Sequence, residues 1–147
     1  MRRKFSKKIF IIGIVLILAG IGLTTIASFF HHEESVICKF EKAIKKQNLS
    51  KVADCVDEKS AQGILATKKY FNENGNEGIE QYVYSLIGVD YAKLDTFCIY
   101  QGKERIIDEN NKIVPCNFFY EKDGKIAVLY KELFLVNENG TYYINMQ

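Results

Sequence analysis

The chain has 147 residues, of which 48% are apolar and 26% are charged, and its formal net charge is +2. This composition excludes a disordered charged tail, and one proline with ten glycines excludes a collagen-like or low-complexity chain. Five of the 20 lysines and arginines lie within residues 1–8, which leaves 15 basic against 18 acidic side chains in the remainder. That balance argues against nucleic-acid binding, which needs a concentrated basic face.

Residues 9–30 are predicted to anchor the chain in a membrane. They contain no charged side chain, and a helix of this length spans roughly 33 Å, enough for a bilayer core of about 30 Å. The alternative is a cleaved signal peptide, although the apolar region of such peptides is usually about 7–15 residues long. The basic residues 1–8 favour a cytoplasmic N-terminus, so residues 31–147 are expected outside the cell membrane.

The residues in and after this anchor carry no predicted metal site. Gly20, Thr24 and Ser28 are each four residues apart, a ladder that could pack against a second membrane helix, although small residues are common in such segments. Residues 31–34 read His-His-Glu-Glu. Adjacent histidines on a helix point about 100° apart and cannot bind one metal as a pair, so this stretch is interpreted as a polar collar.

The outer domain, residues 35–147, begins with apolar residues at helical spacing. The predicted helices cover residues 36–47, 50–56, 60–71 and 79–87. Ser50 and Ser60 are the expected N-caps, Asn48 and Gly88 are expected to end helices, and residues 72–78 read as an exposed loop. The short connection between the first two helices predicts an antiparallel pair.

The pattern then changes to strands rich in aromatic and branched residues. The predicted strands are Leu94–Tyr100, Lys112–Glu121, Lys125–Val136 and Thr141–Met146. Turn residues separate them at residues 108–111, 122–124 and 137–140. Four successive strands with short turns predict an antiparallel meander, and helices followed by strands predict an α+β fold with the helices on one face of the sheet.

Two stretches carry a family resemblance. In residues 40–54 an aromatic residue, an Ala–aliphatic pair and a polar break precede a second helix, and residues 133–144 join an apolar strand to an acidic-Gly turn and an aromatic strand. This order resembles the nuclear-transport-factor-2-like superfamily, also called the cystatin-like α+β cone, although the family usually has Trp where Tyr143 stands. More narrowly, the chain is similar to small extracytoplasmic domains of unknown function from Gram-positive bacteria.

The resemblance implies a curved four-stranded antiparallel sheet that wraps around the helices and can leave a cone-shaped pocket. Some superfamily members are enzymes, many are binding or accessory domains, and members often dimerise through the sheet face. Because the fold supports all of these roles, the function has to be argued from the site.

The four cysteines leave two interpretations open. No pair has the two-residue spacing of zinc ribbons or thioredoxin-like sites. If the first strand turn is centred near residues 107–110, Cys98 and Cys116 lie nearly opposite one another, which predicts a disulfide in an oxidising exterior. A second pair, Cys38 and Cys55, would join the first two helices. The alternative is buried free thiols, since cysteine is among the most buried residue types.

An acid/base enzyme is the alternative to a binding domain. It would pair a carboxylate base with a tyrosine donor, and the residue types are present at Asp54, Asp90 and Asp95 and at Tyr70, Tyr82 and Tyr100. No histidine lies after residue 32, and no phosphate-loop, zinc-protease or serine-hydrolase motif occurs. We therefore expect no enzymatic activity, cofactor or metal.

The aromatic residues of the outer domain are the candidate binding residues. They are expected to line a pocket for a small apolar ligand or a sheet face for a partner, unless they only fill the core. The set is Tyr70, Tyr82, Tyr100, Phe118, Tyr120, Tyr130 and Tyr142. The sequence thus predicts a single-pass, membrane-anchored binding or accessory module whose partner is a ligand, an envelope protein or a second copy of itself.

Overall fold

The computed structural model describes residues 34–146. The predicted cytoplasmic tail, the anchor with its ladder of Gly20, Thr24 and Ser28, and residues 31–33 of the collar lie outside that range. Within residues 34–146, no helix combines the length and the apolar character needed to cross a membrane.

Four helices precede the sheet, as the apolar periodicity predicts. They are α1 (Val36–Lys45), α2 (Leu49–Ala53), α3 (Glu58–Asn74) and α4 (Ile79–Ile87). Each buries one apolar stripe and leaves its polar side exposed, as α1 does with Phe40 and Ile44 inside and Lys39 outside. Gly88 ends α4 in the left-handed conformation, with φ of 76°, which the sequence predicted from its position.

Two predicted N-caps are wrong. The side chain of Asn48 accepts a hydrogen bond from the Lys51 N–H at 3.1 Å, and that of Asp57 accepts one from the Ser60 N–H at 3.0 Å. Asn48 and Asp57 therefore cap α2 and α3, whereas Ser50 and Ser60 already lie inside the first helical turn. Each segment offers two good capping side chains within three residues, and the more N-terminal one has the extended backbone that a cap requires.

The predicted loop over residues 72–78 is also partly wrong, because α3 continues through Asn74 and ends at Gly75. The Asn74 side-chain amide donates to the carbonyl of Tyr70 at 2.9 Å within this last turn. Residues 72–74 form an exposed turn of the helix, and an exposed turn needs no apolar residue that would distinguish it from a loop.

The strands form one curved antiparallel sheet. They are β1 (Lys93–Gln101), β2 (Arg105–Ile106), β3 (Asn111–Lys122), β4 (Lys125–Glu138) and β5 (Thr141–Asn145). The four long strands are ordered β1-β3-β4-β5, and the two-residue β2, which the sequence did not reveal, pairs with β3 beyond β1. The fold is α+β, with four helices packed against a four-stranded half-barrel, and this confirms the predicted fold class for the described residues.

The hydrophobic core lies between the helices and the concave face of the sheet. Phe97 and Phe118 are fully buried and meet edge to face, with ring centres 5.5 Å apart and planes at 87°. The helices contribute residues such as Ile44 and Ile87, which are 0% exposed. Burial of this apolar surface is the main favourable term that holds the helices on the sheet.

The segment between α2 and α3 is tied to β5. Val56 pairs with Ile144 in a parallel bridge, and the backbone of Ile144 exchanges hydrogen bonds with Cys55 and Asp57 at 2.9 and 3.0 Å. The Asp57 carboxylate also accepts bonds from the hydroxyl of Ser60 at 2.7 Å and from the Met146 N–H at 3.1 Å. Asp57 is 8% exposed, so one buried carboxylate joins the start of α3 to the end of the sheet.

The predicted opposition of Cys98 and Cys116 is wrong. Cys98 lies opposite Phe119, and Cys116 lies opposite Gln101. The two cysteines are therefore three residues out of register and lie on opposite faces of the sheet, because side chains alternate along a strand. Opposition of Cys98 and Cys116 requires a pairing centred on residue 107, whereas the observed pairs of Cys98–Gln101, such as Gln101 with Cys116, are centred between residues 108 and 109.

None of the four cysteines forms a disulfide in the structure, which includes Cys38 and Cys55. The thiols of Cys38 and Cys55 have separate partners, the Gln101 amide at 3.4 Å and the Lys51 carbonyl at 3.2 Å. We expect thiol titration of the denatured chain, purified without reductant, to count four thiols. A count of two would show that a disulfide forms and would contradict the free-thiol structure.

Candidate functional site

An open cleft of about 550 Å³ lies between α3, α4 and the concave face of β4. Ile64 of α3, Leu86 of α4 and Leu133 of β4 form apolar walls, and Phe118 of β3 lies at its base. The volume falls within the range of about 300–1,000 Å³ that small-molecule sites usually have.

Lys131 places a single ammonium on this apolar wall. It lies on β4 between Leu129 and Leu133, whose side chains also face the helices. Its Nζ is 5.9 Å from the centre of the Phe118 ring. Within residues 34–146 no carboxylate pairs with it. Glu132 also borders the cleft, but its carboxylate pairs with Arg105 at 2.7 Å. The site therefore offers one positive charge beside apolar side chains, with the polar side chains of Ser60, Ser85 and Asn145 also in its lining.

The environment of Lys131 disfavours its charge. Burial lowers the pKa of the ammonium below the ordinary value for lysine. Cys116 faces it across the β3–β4 ladder, and desolvation raises the pKa of that thiol to about 11, so the thiol is neutral at pH 7 and supplies no counter-charge. The C-terminus of α4 lies beside the ammonium and supplies a weak negative potential, which offsets part of the cost of the charge.

Two glycines matter at the cleft, one beside Lys131 and one in its lining. At Gly88, where φ is positive, an added Cβ would collide with the Lys131 ammonium, so only glycine lets the lysine approach the end of α4. Gly63 lies inside α3 and lines the cleft, and an added Cβ there meets nothing within 4 Å. Glycine inside a helix costs about 0.5–1 kcal/mol of stability relative to alanine. Here it means that no side chain extends from this position of α3 into the cleft.

The structure separates the predicted binding residues into three groups. Tyr82 and Phe118 line the cleft. Tyr120 and Tyr142 pack against the core, and Lys112 lies 4.1 Å over the ring of Tyr142. The other three are exposed at the surface, and they are Tyr70 on α3, Tyr100 on β1 and Tyr130 on β4.

The carboxylates proposed for the acid/base alternative do not meet a tyrosine in the cleft. Asp54, Asp90 and Asp95 are all exposed, and none of them lines the cleft. Asp54 instead pairs with Lys51 at 3.6 Å. The described residues also contain no cluster of three or more histidine, cysteine or acidic side chains that could hold a metal ion.

The outer face of the sheet, which points away from the helices, is unusually apolar. Ile126 is 78% exposed and lies opposite Glu121 of β3, and Val128 is 55% exposed and lies opposite Phe119. Tyr100 and Phe119 meet edge to face there, with ring centres 5.8 Å apart. Tyr130 is also exposed, and its hydroxyl donates to Glu132 at 3.1 Å.

Of the cleft residues the sequence reasoning named only Tyr82 and Phe118 as binding residues, and Lys131 is among those that it missed. Alternation along β4 offers a signal, because Leu129, Lys131, Leu133 and Leu135 are every second residue and the lysine interrupts an apolar row. The intervening row of Ile126, Val128 and Tyr130 is equally apolar, so the pattern does not tell which row faces inward.

Comparison of the chain with protein families, with curated proteins and with solved structures finds no match.

Proposed function

We propose that the outer domain is a binding module that holds a small amphipathic anion in the cleft. The observation that supports this most directly is the ammonium of Lys131, which has no carboxylate partner within the described residues and lies beside the apolar side chains of Leu133 and Phe118. A charge held in such a place destabilises the fold unless something compensates it. A ligand with an acidic head and an apolar body supplies the missing counter-charge and covers the apolar wall.

The cleft suits one arrangement of this ligand. The acidic group contacts Lys131 near the end of α4, and the apolar body lies along Ile64, Leu86 and Leu133. A charge-assisted hydrogen bond is worth about 1.5–3 kcal/mol, and each buried methylene adds about 0.8 kcal/mol. Affinity should therefore rise with chain length until the cleft is filled.

The wider proposal is that the chain presents this module outside a membrane. It rests on the uncharged run at residues 9–30 and the basic residues 1–8, which favour an uncleaved anchor with a cytoplasmic N-terminus. The helix-then-sheet order supports the resemblance to the nuclear-transport-factor-2-like cone and to the membrane-anchored domains of Gram-positive bacteria. We favour binding over catalysis because Asp54, Asp90 and Asp95 are exposed and none of them lines the cleft.

The test uses Gly63, which borders the cleft without contributing to its chemistry. Residues 31–147, expressed alone and checked for folding by circular dichroism, are titrated with octanoate, decanoate and dodecanoate in a calorimeter. We expect affinity to rise with chain length and Gly63→Leu, which fills the cleft, to lower dodecanoate affinity at least tenfold. Gly63→Ala is the matched control and should bind normally while gaining about 0.5–1 kcal/mol of stability.

Two results would contradict the proposal. One is equal dodecanoate affinity in the leucine and alanine variants, because the ligand would then lie elsewhere. The other is equal affinity for dodecanoate and dodecanol, because the ammonium would then contribute nothing.

A further inference from the structure

The first half of β4 is an open edge of the sheet. β5 pairs only with Phe134–Glu138, so Lys125–Leu133 has β3 on one side and no strand on the other within residues 34–146. This free edge is nine residues long, without proline, glycine or a register shift, and its charged residues are Lys125, Lys131 and Glu132. Proteins usually protect such edges with short strands, bulges or charges, because an open edge pairs readily with another strand.

The two hairpins show which backbone groups point outward along the free edge. Asp123-Gly124 and Asn139-Gly140 are two-residue loops with positive φ throughout, so the pairs that close them, Lys122–Lys125 and Glu138–Thr141, exchange hydrogen bonds. Lys125 therefore points its N–H and C=O toward β3, and Glu138 points its own toward β5. Backbone direction alternates along a strand, so every even-numbered residue of the free edge presents both groups outward.

The side chains that accompany these groups belong to the apolar outer face. The even-numbered residues are Ile126, Val128, Tyr130 and Glu132, and the first three are more than half exposed. Hydrogen-bonding groups and apolar side chains are thus presented together over one short stretch. A second strand placed here gains backbone bonds and covers Val128 and Tyr130 in the same step.

We propose that the free edge of β4 pairs antiparallel with the same edge of a second copy, about a two-fold axis at Leu129. This register places Val128 opposite Tyr130 and Ile126 opposite Glu132, so all four outward-pointing residues make backbone bonds. No like charges lie directly opposite, since Lys131 faces Ala127 and Lys125 faces Leu133.

The neighbouring registers are poorer. An axis at Val128 places Lys125 directly opposite Lys131, which is destabilising on one face of a sheet. An axis at Tyr130 requires Phe134 to pair across the interface, but β5 already occupies that residue through Asn145. The charges and the end of β5 therefore select Leu129 from among the three central positions.

The register can be tested by cross-linking the full chain in membranes. Residue 129 faces its own copy as a non-hydrogen-bonded pair, with Cα atoms about 4.5 Å apart, which suits a disulfide. Residues 128 and 130 lie diagonally from their own copies, at roughly 7–8 Å or more. We expect Leu129→Cys to give a disulfide-linked dimer under mild oxidation, and Val128→Cys and Tyr130→Cys to give no more than the unsubstituted chain.

A matched pair of lysine variants tests the surface itself. Val128 and Ile107 are 55% and 51% exposed, but only Val128 lies on the free edge. In the Leu129→Cys chain, Val128→Lys should abolish cross-linking and Ile107→Lys should preserve it. The pattern also distinguishes this contact from packing between membrane anchors, which would not favour residue 129 over its neighbours.

Several outcomes would overturn the proposal. Cross-linking strongest at residue 128 or 130 would show another register. Equal cross-linking at all three positions would show that two copies meet by random encounter in the membrane and not by strand pairing. If no variant exceeds the unsubstituted chain while limited proteolysis shows that Leu129→Cys is folded, the edge does not pair with a second copy. A cross-link from Leu129→Cys to a different protein would assign the edge to that partner instead.

Discussion

Replacing Asp57 with alanine should destabilise the domain by about 3 kcal/mol, the largest loss we expect from any single polar side chain described above. The substitution removes the cap of α3, worth about 0.5–2 kcal/mol, and takes the acceptor from the partly buried N–H of Met146. Domains of this size are stable by only about 5–15 kcal/mol. Urea unfolding followed by circular dichroism would measure the loss as a lower midpoint.

Two further variants separate the roles of this carboxylate. Asp57→Asn keeps an oxygen that can cap α3 but places an amide N–H₂ where Met146 and the Ser60 hydroxyl now donate, so roughly half of the loss should remain. Asp54→Ala is the matched control, because Asp54 is exposed and pairs only with Lys51, and it should cost less than about 0.5 kcal/mol. Equal losses at Asp54 and Asp57 would show that the tie between α3 and β5 is not what stabilises the domain.

The sequence predicts the elements of this fold better than their pairing. Helices and strands follow from apolar periods and turn residues, both of which are local. Asp123-Gly124 and Asn139-Gly140 indicate two hairpins correctly. The register of β1 on β3 at Cys98–Gln101 is centred between residues 108 and 109 rather than on residue 107, a difference that the turn residues do not determine, and this is why the prediction for Cys98 and Cys116 was wrong.

The candidate site was predicted only in part, for a related reason. The resemblance to a cone-shaped fold indicated a pocket under the helices, and Tyr82 and Phe118 do line one. Both rows of β4 are apolar, so the sequence does not show that Lys131 faces inward or that Tyr130 faces outward. Because both rows are apolar, the outward-facing row leaves Ile126 and Val128 exposed beside an open edge.

The second large effect is expected at Lys131. Lys131→Met should weaken dodecanoate binding about 10- to 100-fold, because it removes a charge-assisted bond from a partly buried site and keeps a side chain of similar length. Lys125→Met, an exposed lysine on the same strand, is the matched control and should bind normally. Calorimetric titration with dodecanoate measures both variants.

Stability distinguishes a binding role for Lys131 from a structural one. Since burial lowers the pKa of this lysine, its charge opposes folding at neutral pH, and Lys131→Met should leave the free energy of unfolding within about 1 kcal/mol or raise it. The sign follows from linkage, because the unfolded chain binds the proton more tightly than the folded one. The free energy of unfolding of the unsubstituted domain, relative to that of the variant, should therefore rise with pH. The rise should occur between the lowered pKa of Lys131 in the folded chain and the ordinary lysine pKa. If Lys131 instead stabilised the fold as a cation at the end of α4, the methionine variant would be clearly less stable at pH 7 and this trend would reverse.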